Sequence, residues 1–104
     1  MNRKVLLGQI KDLILSAYPT AEIILYGSRS KGLEKEGSDW DILVIVDQDL
    51  KERDKIGIQN QIYEIELATG EIINVVVHTR KEWSSPLFQA MPFYANVMNE
   101  GIRI

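Results

Sequence analysis

Between two segments that read as β-strands, the chain places Gly27-Ser28, a ten-residue spacer from Arg29 to Ser38, and then Asp39-Trp40-Asp41. The first strand is Glu22-Ile-Ile-Leu-Tyr26, and the second runs from Asp39 to Val46. Successive side chains on a strand point to opposite faces, so Asp39 and Asp41 share one face while Trp40 and Ile42 turn to the other. The carboxylate stems are then roughly 6.5 to 7 Å apart, a span from which both can lean toward metal ions, and two ions bridging a reactive phosphate sit about 3.5 to 4 Å apart. Two ionised carboxylates about 5 Å apart repel by roughly 3 kcal/mol at an effective dielectric of about 20. A cation relieves that repulsion, and Mg²⁺ suits it because it takes hard oxygen ligands from one or two carboxylates and completes its shell with phosphate and water. Gly27, directly after a strand, lets the backbone turn sharply and approach a ligand closely. Backbone N–H groups of a following helical turn can receive phosphate oxygens, and the Ser28 hydroxyl can donate to the same anion.

Gly27-Ser28 with Asp39 and Asp41 resembles the signature of the DNA polymerase β-type nucleotidyltransferase superfamily. The surrounding Leu25-Tyr-Gly-Ser-Arg-Ser-Lys-Gly32 and Gly37-Ser-Asp-Trp-Asp-Ile-Leu-Val44 are similar to its minimal branch of stand-alone domains. The resemblance covers Leu25 to Val46, and its force lies in the combination, since Asp-x-Asp or Gly-Ser alone is a weak signal.

At 104 residues the chain is expected to form one domain, residues 1–104, around a single modest core. Hydrophobic residues make up 45%, ordinary for a soluble globular protein. A net charge of -3 argues against a non-specific grip on nucleic acid, which depends on basic side chains neutralising phosphates. Cysteine is absent, which excludes a disulfide framework, a thiol nucleophile and cysteine-based metal sites. Gln9, Lys11 and Asp12 interrupt the N-terminal apolar run before it reaches signal-peptide length, and no stretch approaches the 18 or so apolar residues of a membrane span. The expectation is a soluble, unexported, cytoplasmic protein.

Leu6, Ile10, Leu13, Ile14 and Ala17 recur at helical spacing, and Pro19 closes that first helix. Ser28 to Gly32 reads as a short helical turn, and Leu33 to Gly37 as a polar loop. Trp40 to Val46 is almost continuously apolar apart from Asp41, as in a central strand. A mostly polar helix follows to about Leu67, with Ile58, Ile62 and Ile65 as its buried edge and Gly70 as its stop. Glu71 to His78 reads as a third strand, rich in β-branched residues. Ser84-Ser-Pro-Leu-Phe88 resembles a capped helix start. Pro92 is expected to interrupt that helix and Gly101 to end it. The fold class is α+β: a small mixed three-stranded sheet with helices packed on one face and the acidic site on the other.

Several other residues have a competing structural reading. Arg29 and Lys31 lie where they could steer a triphosphate, or stand as solvated loop charges. Tyr26 and Trp40 are read as core or pocket-wall aromatics, and His78 as a satisfied structural histidine. Phe88, Phe93 and Tyr94 are read as packing residues. The departure from the family pattern is on the third strand, where members that transfer nucleotides carry a third metal-binding carboxylate. Asn74 takes that place in register, as a doubtful third metal position: its carbonyl can touch a metal, but it lacks the charge that holds a second ion. Glu71 lies an odd number of residues away and faces the opposite side, and Glu66 belongs to the preceding helix.

The resemblance implies a nucleotidyltransferase fold and an attack of a hydroxyl on the α-phosphorus of a nucleoside triphosphate, with ATP as substrate and Mg²⁺, two ions in the family pattern, as cofactor. It assigns Asp39 and Asp41 to catalysis and metal binding, and Gly27, Ser28 and Arg29 to the nucleotide. It further implies an antitoxin that transfers AMP to a tyrosine of an all-helical HEPN toxin. Asn74 keeps alternatives open: an antitoxin that binds without catalysing, a nucleotide-binding sensor, or a transferase acting on a small molecule.

Overall fold

The structure, a computed structural model, describes residues 2–32 and 37–104. Residues 33–36, most of the expected polar loop, lie outside the described residues. Helix α1 (Arg3–Ala17) starts at Asn2, whose side chain accepts from the Lys4 N–H at 2.7 Å. Its last turn closes through the Tyr18 N–H on the Ile14 carbonyl, just before Pro19, which cannot continue a helix. Leu6, Ile10 and Ile14 are buried as the periodicity predicts, Leu13 is partly buried, and Ala17 is exposed.

Strand β1 (Glu22–Tyr26) leads through α2 (Ser28–Lys31) to β2 (Trp40–Val46), which returns antiparallel to β1. Helix α3 (Glu52–Thr69) then crosses over so that β3 (Ile73–Thr79) can lie parallel to β2, the long connection that a parallel pair requires. The Asp54 carboxylate accepts from the Lys51 N–H at the start of α3, and Gly70, at φ 73°, ends it in the left-handed conformation. Ile58, Ile62 and Ile65 are the buried residues of α3, as its spacing predicts. The Glu66 carboxylate receives the Ile73 N–H and fixes the first residue of β3.

The C-terminal part is three short helices, α4 (Arg80–Trp83), α5 (Pro86–Gln89) and α6 (Pro92–Glu100), followed by β4 (Ile102–Arg103). Ser85 caps α5 by accepting from the Phe88 N–H, and Pro92 opens a new helix. Gly101 ends α6 where a Cβ would come within 2.6 Å of Ile24 Cγ2. The sheet order is β3-β2-β1-β4, with β4 antiparallel to β1.

The α+β class holds with two differences of detail. The sheet has four strands rather than three, because a two-residue strand carries no readable alternation. Helices also pack on both faces: α1 and α3 cover Ile23, Leu25, Ile42, Val44 and Val46, while Trp83, Phe88, Phe93, Tyr94 and Val97 cover Ile24, Leu43 and Ile45. Among the described residues no helix is long and apolar enough to cross a membrane.

Candidate functional site

The strand register sets Tyr26 of β1, Asp41 of β2 and Asn74 of β3 in one row across the sheet. Asp39 precedes β2 by one residue and lies on the same side. The Asn74 Nδ2 donates to Asp39 Oδ2 at 2.9 Å and to Asp41 Oδ1 at 3.2 Å, so both carboxylates converge on a single nitrogen. The face shared by the two acids, expected from alternation alone, is present, and the register places Asn74 beside them.

The bend after β1 closes the row from the other side. Gly27 has φ 75°, a region that L side chains rarely adopt, and a Cβ there would collide with the Asp41 carboxylate. Asp41 is thus held between the glycine bend and the Asn74 amide. Ser28 opens α2 immediately after the bend and is exposed, as are Asp39 and Asn74. Ser30 ties the turn together, its hydroxyl donating to the Gly27 carbonyl at 2.7 Å.

Arg29 is turned elsewhere. Its guanidinium lies 4.1 Å over the Trp40 ring, and its Nη2 and Nε donate to the Ser38 carbonyl at 2.7 and 3.2 Å. Trp40 is buried beside α1 and α3, on the face opposite Asp41, and its indole N–H donates to Glu71 at 3.0 Å. In this position the guanidinium clamps α2 to the start of β2. Sequence spacing gives no signal for this clamp, since Arg29 and Trp40 meet only through the fold. Lys31 pairs with Glu100 of α6 at 2.8 Å. Glu71 and Glu66, engaged by Trp40 and Ile73, do not join the acid pair.

Tyr26 is half-buried in the row with Asp41 and packs edge-on against Phe93 at 5.3 Å. Burial, and secondly the Asp41 charge, raise its phenol above the usual tyrosine value, so it stays neutral. It is a wall of the site, one of the roles that its sequence left open. His78 lies farther along β3 against Phe88 and Trp83, with Nδ1 buried and without a hydrogen-bond partner among the described residues; Glu82, at 3.8 Å, is too distant. His78 thus packs as a structural residue, the role read from the sequence, with Nδ1 unsatisfied among the described residues.

The donor set fits one hard divalent cation. Two carboxylates already converge, and a half-turn of the Asn74 amide would exchange its NH₂ for a neutral carbonyl oxygen. Among the described residues no cluster of three or more histidine, cysteine, aspartate or glutamate side chains is present to hold a second ion.

A mixed sheet carrying paired acids opposite a glycine bend defines a domain of the nucleotidyltransferase type. The chain matches the nucleotidyltransferase domain family over residues 7–100 and belongs to it. No curated protein matches it in sequence. Among solved structures it is similar to a toxin–antitoxin complex with AMP-PNP, at 21% identity over 92% of this chain and 69% of that one, with a TM-score of 0.63. It is also similar to a complex of tri-AMPylated HEPN toxin with MNT antitoxin from Shewanella oneidensis, at 19% identity over 98% and 71% of the two chains, TM-score 0.62. At these identities the likeness is one of fold.

Proposed function

We propose that this chain is a Mg²⁺-dependent protein adenylyltransferase that transfers AMP from ATP to a tyrosine of a HEPN-type toxin and so acts as its antitoxin in the cytoplasm. The observation that carries the reading is the convergence of Asp39 and Asp41 on one point beside Gly27, a positive-φ bend where a Cβ would meet the Asp41 carboxylate. Family membership and the fold shared with toxin–antitoxin complexes support it. The exposure of Ser28, Asp39 and Asn74 suits an acceptor carried on another protein, because a macromolecule can cover an open site that would hold a small acceptor poorly.

Asp39 and Asp41 would hold the ion, which supplies charge neutralisation on the phosphates. Gly27 lets the backbone approach the triphosphate, and Ser28 donates its hydroxyl to a phosphate oxygen. Arg29 acts as a positioning residue by fixing the loop to Trp40 and Ser38. The tyrosyl oxygen bonds to the α-phosphorus as the bond to pyrophosphate breaks, and the phenolic proton leaves to solvent at the exposed site. Asn74, a neutral amide, does not accept the proton of the attacking hydroxyl. Incubation with Mg²⁺, α-labelled ATP and a HEPN-type partner should label the partner, and Asp39→Asn should abolish the label. Undiminished labelling by that variant would refute the assignment.

A second reading, an antitoxin that neutralises by contact alone, is favoured by one observation: the Asn74 amide already engages both acids. It predicts that the double variant Asp39→Ala, Asp41→Ala still protects cells that express the toxin, whereas catalysis predicts loss of protection.

A further inference from the structure

We propose that Asn74 gates the acid pair against free divalent ions, so that the cation enters together with the nucleotide and not ahead of it. The inference rests on the nucleotidyltransferase reading and concerns how that site is loaded. One amide nitrogen has two hydrogens, and here each carboxylate takes one bond from it. Hydrogen bonds to ionised acceptors are the stronger kind. They fall on one oxygen of each carboxylate, Asp39 Oδ2 and Asp41 Oδ1.

A free ion must therefore turn the amide away, and it gains only a neutral oxygen when the amide rotates. Mg²⁺ sheds its water reluctantly and binds best where several anionic oxygens meet. A carboxylate at position 74 would act in the opposite sense, adding a third negative charge that only a cation relieves. An ion carried on a triphosphate brings its phosphate ligands with it and asks less of the protein. The other oxygen of Asp41 lies against the Gly27 bend, in the space that a Cβ there would take, so the bend and the amide hold the carboxylate from two sides.

Mn²⁺ retained by the protein in equilibrium dialysis, read against a protein-free control with and without AMP-PNP, tests the gate in the wild-type chain and in Asn74→Asp and Asn74→Ala. Asn74 is exposed, so neither substitution touches the core. Without nucleotide, the wild type should bind Mn²⁺ about tenfold or more weakly than Asn74→Asp, as the added ligand charge dictates. AMP-PNP should remove most of that difference, and Asn74→Ala, which lacks the two amide bonds, should bind free Mn²⁺ more tightly than the wild type. Equal affinities of wild type and Asn74→Asp would overturn the gate alone. Binding by Asn74→Ala equal to that of the wild type would also overturn it, and weaker binding would make Asn74 a ligand instead. No Mn²⁺ uptake by any of the three with AMP-PNP would remove the nucleotidyltransferase reading as well.

Discussion

The two faces of the sheet are made from the same strands, yet they differ in how uniformly they are used. Toward α1 and α3 the strands present Ile23 and Leu25, Ile42, Val44 and Val46, and Ile73 and Val77, a continuous apolar surface. The opposite face changes character along each strand. Its first row is Tyr26, Asp41 and Asn74, its second Ile24, Leu43 and Val76, and its third includes Ile45 and His78 beneath Trp83 and Phe88. Two residues along a strand, roughly 6.6 Å, separate paired acids from packed aliphatics. Stability and chemistry are thus divided by face and then by row, so substitutions on the two faces should fail in different ways.

The largest effect on stability is expected on the uniform face. Ile62→Ala or Ile42→Ala, at positions almost fully buried, should cost about 2 to 5 kcal/mol in urea unfolding and leave AMP transfer per folded molecule unchanged. Asp41→Asn should do the reverse, reducing transfer by roughly 10² to 10³ while shifting stability by about 0.5 kcal/mol or less. If both variants lost stability equally, the division by face would be wrong.

Arg29 sharpens the comparison because its backbone belongs to the site while its guanidinium lies on the Trp40 side. Arg29→Ala removes a cation–π contact and the bonds to Ser38, and should lower stability by about 1 to 2 kcal/mol. A raised KM for ATP with unchanged melting would instead return Arg29 to the phosphates. The smallest effect belongs to His78. Burial holds its imidazole below the ordinary value, Lys55 acts in the same direction, and Glu82 opposes them. The folded protein therefore resists a proton that the unfolded chain accepts. That contribution to stability is complete above about pH 6.5 and is lost as pH falls through the depressed value. His78→Phe, which also removes the unpartnered Nδ1, should raise stability by about 1 kcal/mol and flatten this acidic limb in melting curves recorded from pH 7 to 5.

The sequence made the uniform face legible because a buried stripe repeats: Leu6, Ile10 and Ile14 on α1, and Ile58, Ile62 and Ile65 on α3, need only helical spacing. The acid pair was legible by strand alternation, and the place of Asn74 by register. What sequence could not reveal depends on contacts between distant segments. Strand β4 is two residues long and exists through its pairing with Ile24 and Leu25. The second layer of helices is broken by Pro86 and Pro92 into pieces too short for a clear apolar period. The contact of Arg29 with Trp40 and Ser38 joins α2 to the start of β2, and no local spacing encodes it.

The central claim is that Asp39, Asp41 and the Gly27 bend together form the seat of a metal-bound triphosphate. A crystal soaked with Mn²⁺ and AMP-PNP tests it directly through the anomalous signal of the metal. A peak within about 2.0 to 2.3 Å of oxygens from both Asp39 and Asp41, with the phosphates over Gly27 and Ser28, is the predicted result. Nucleotide bound on the Arg29–Trp40 side of the sheet, with no metal between the two acids, would contradict it.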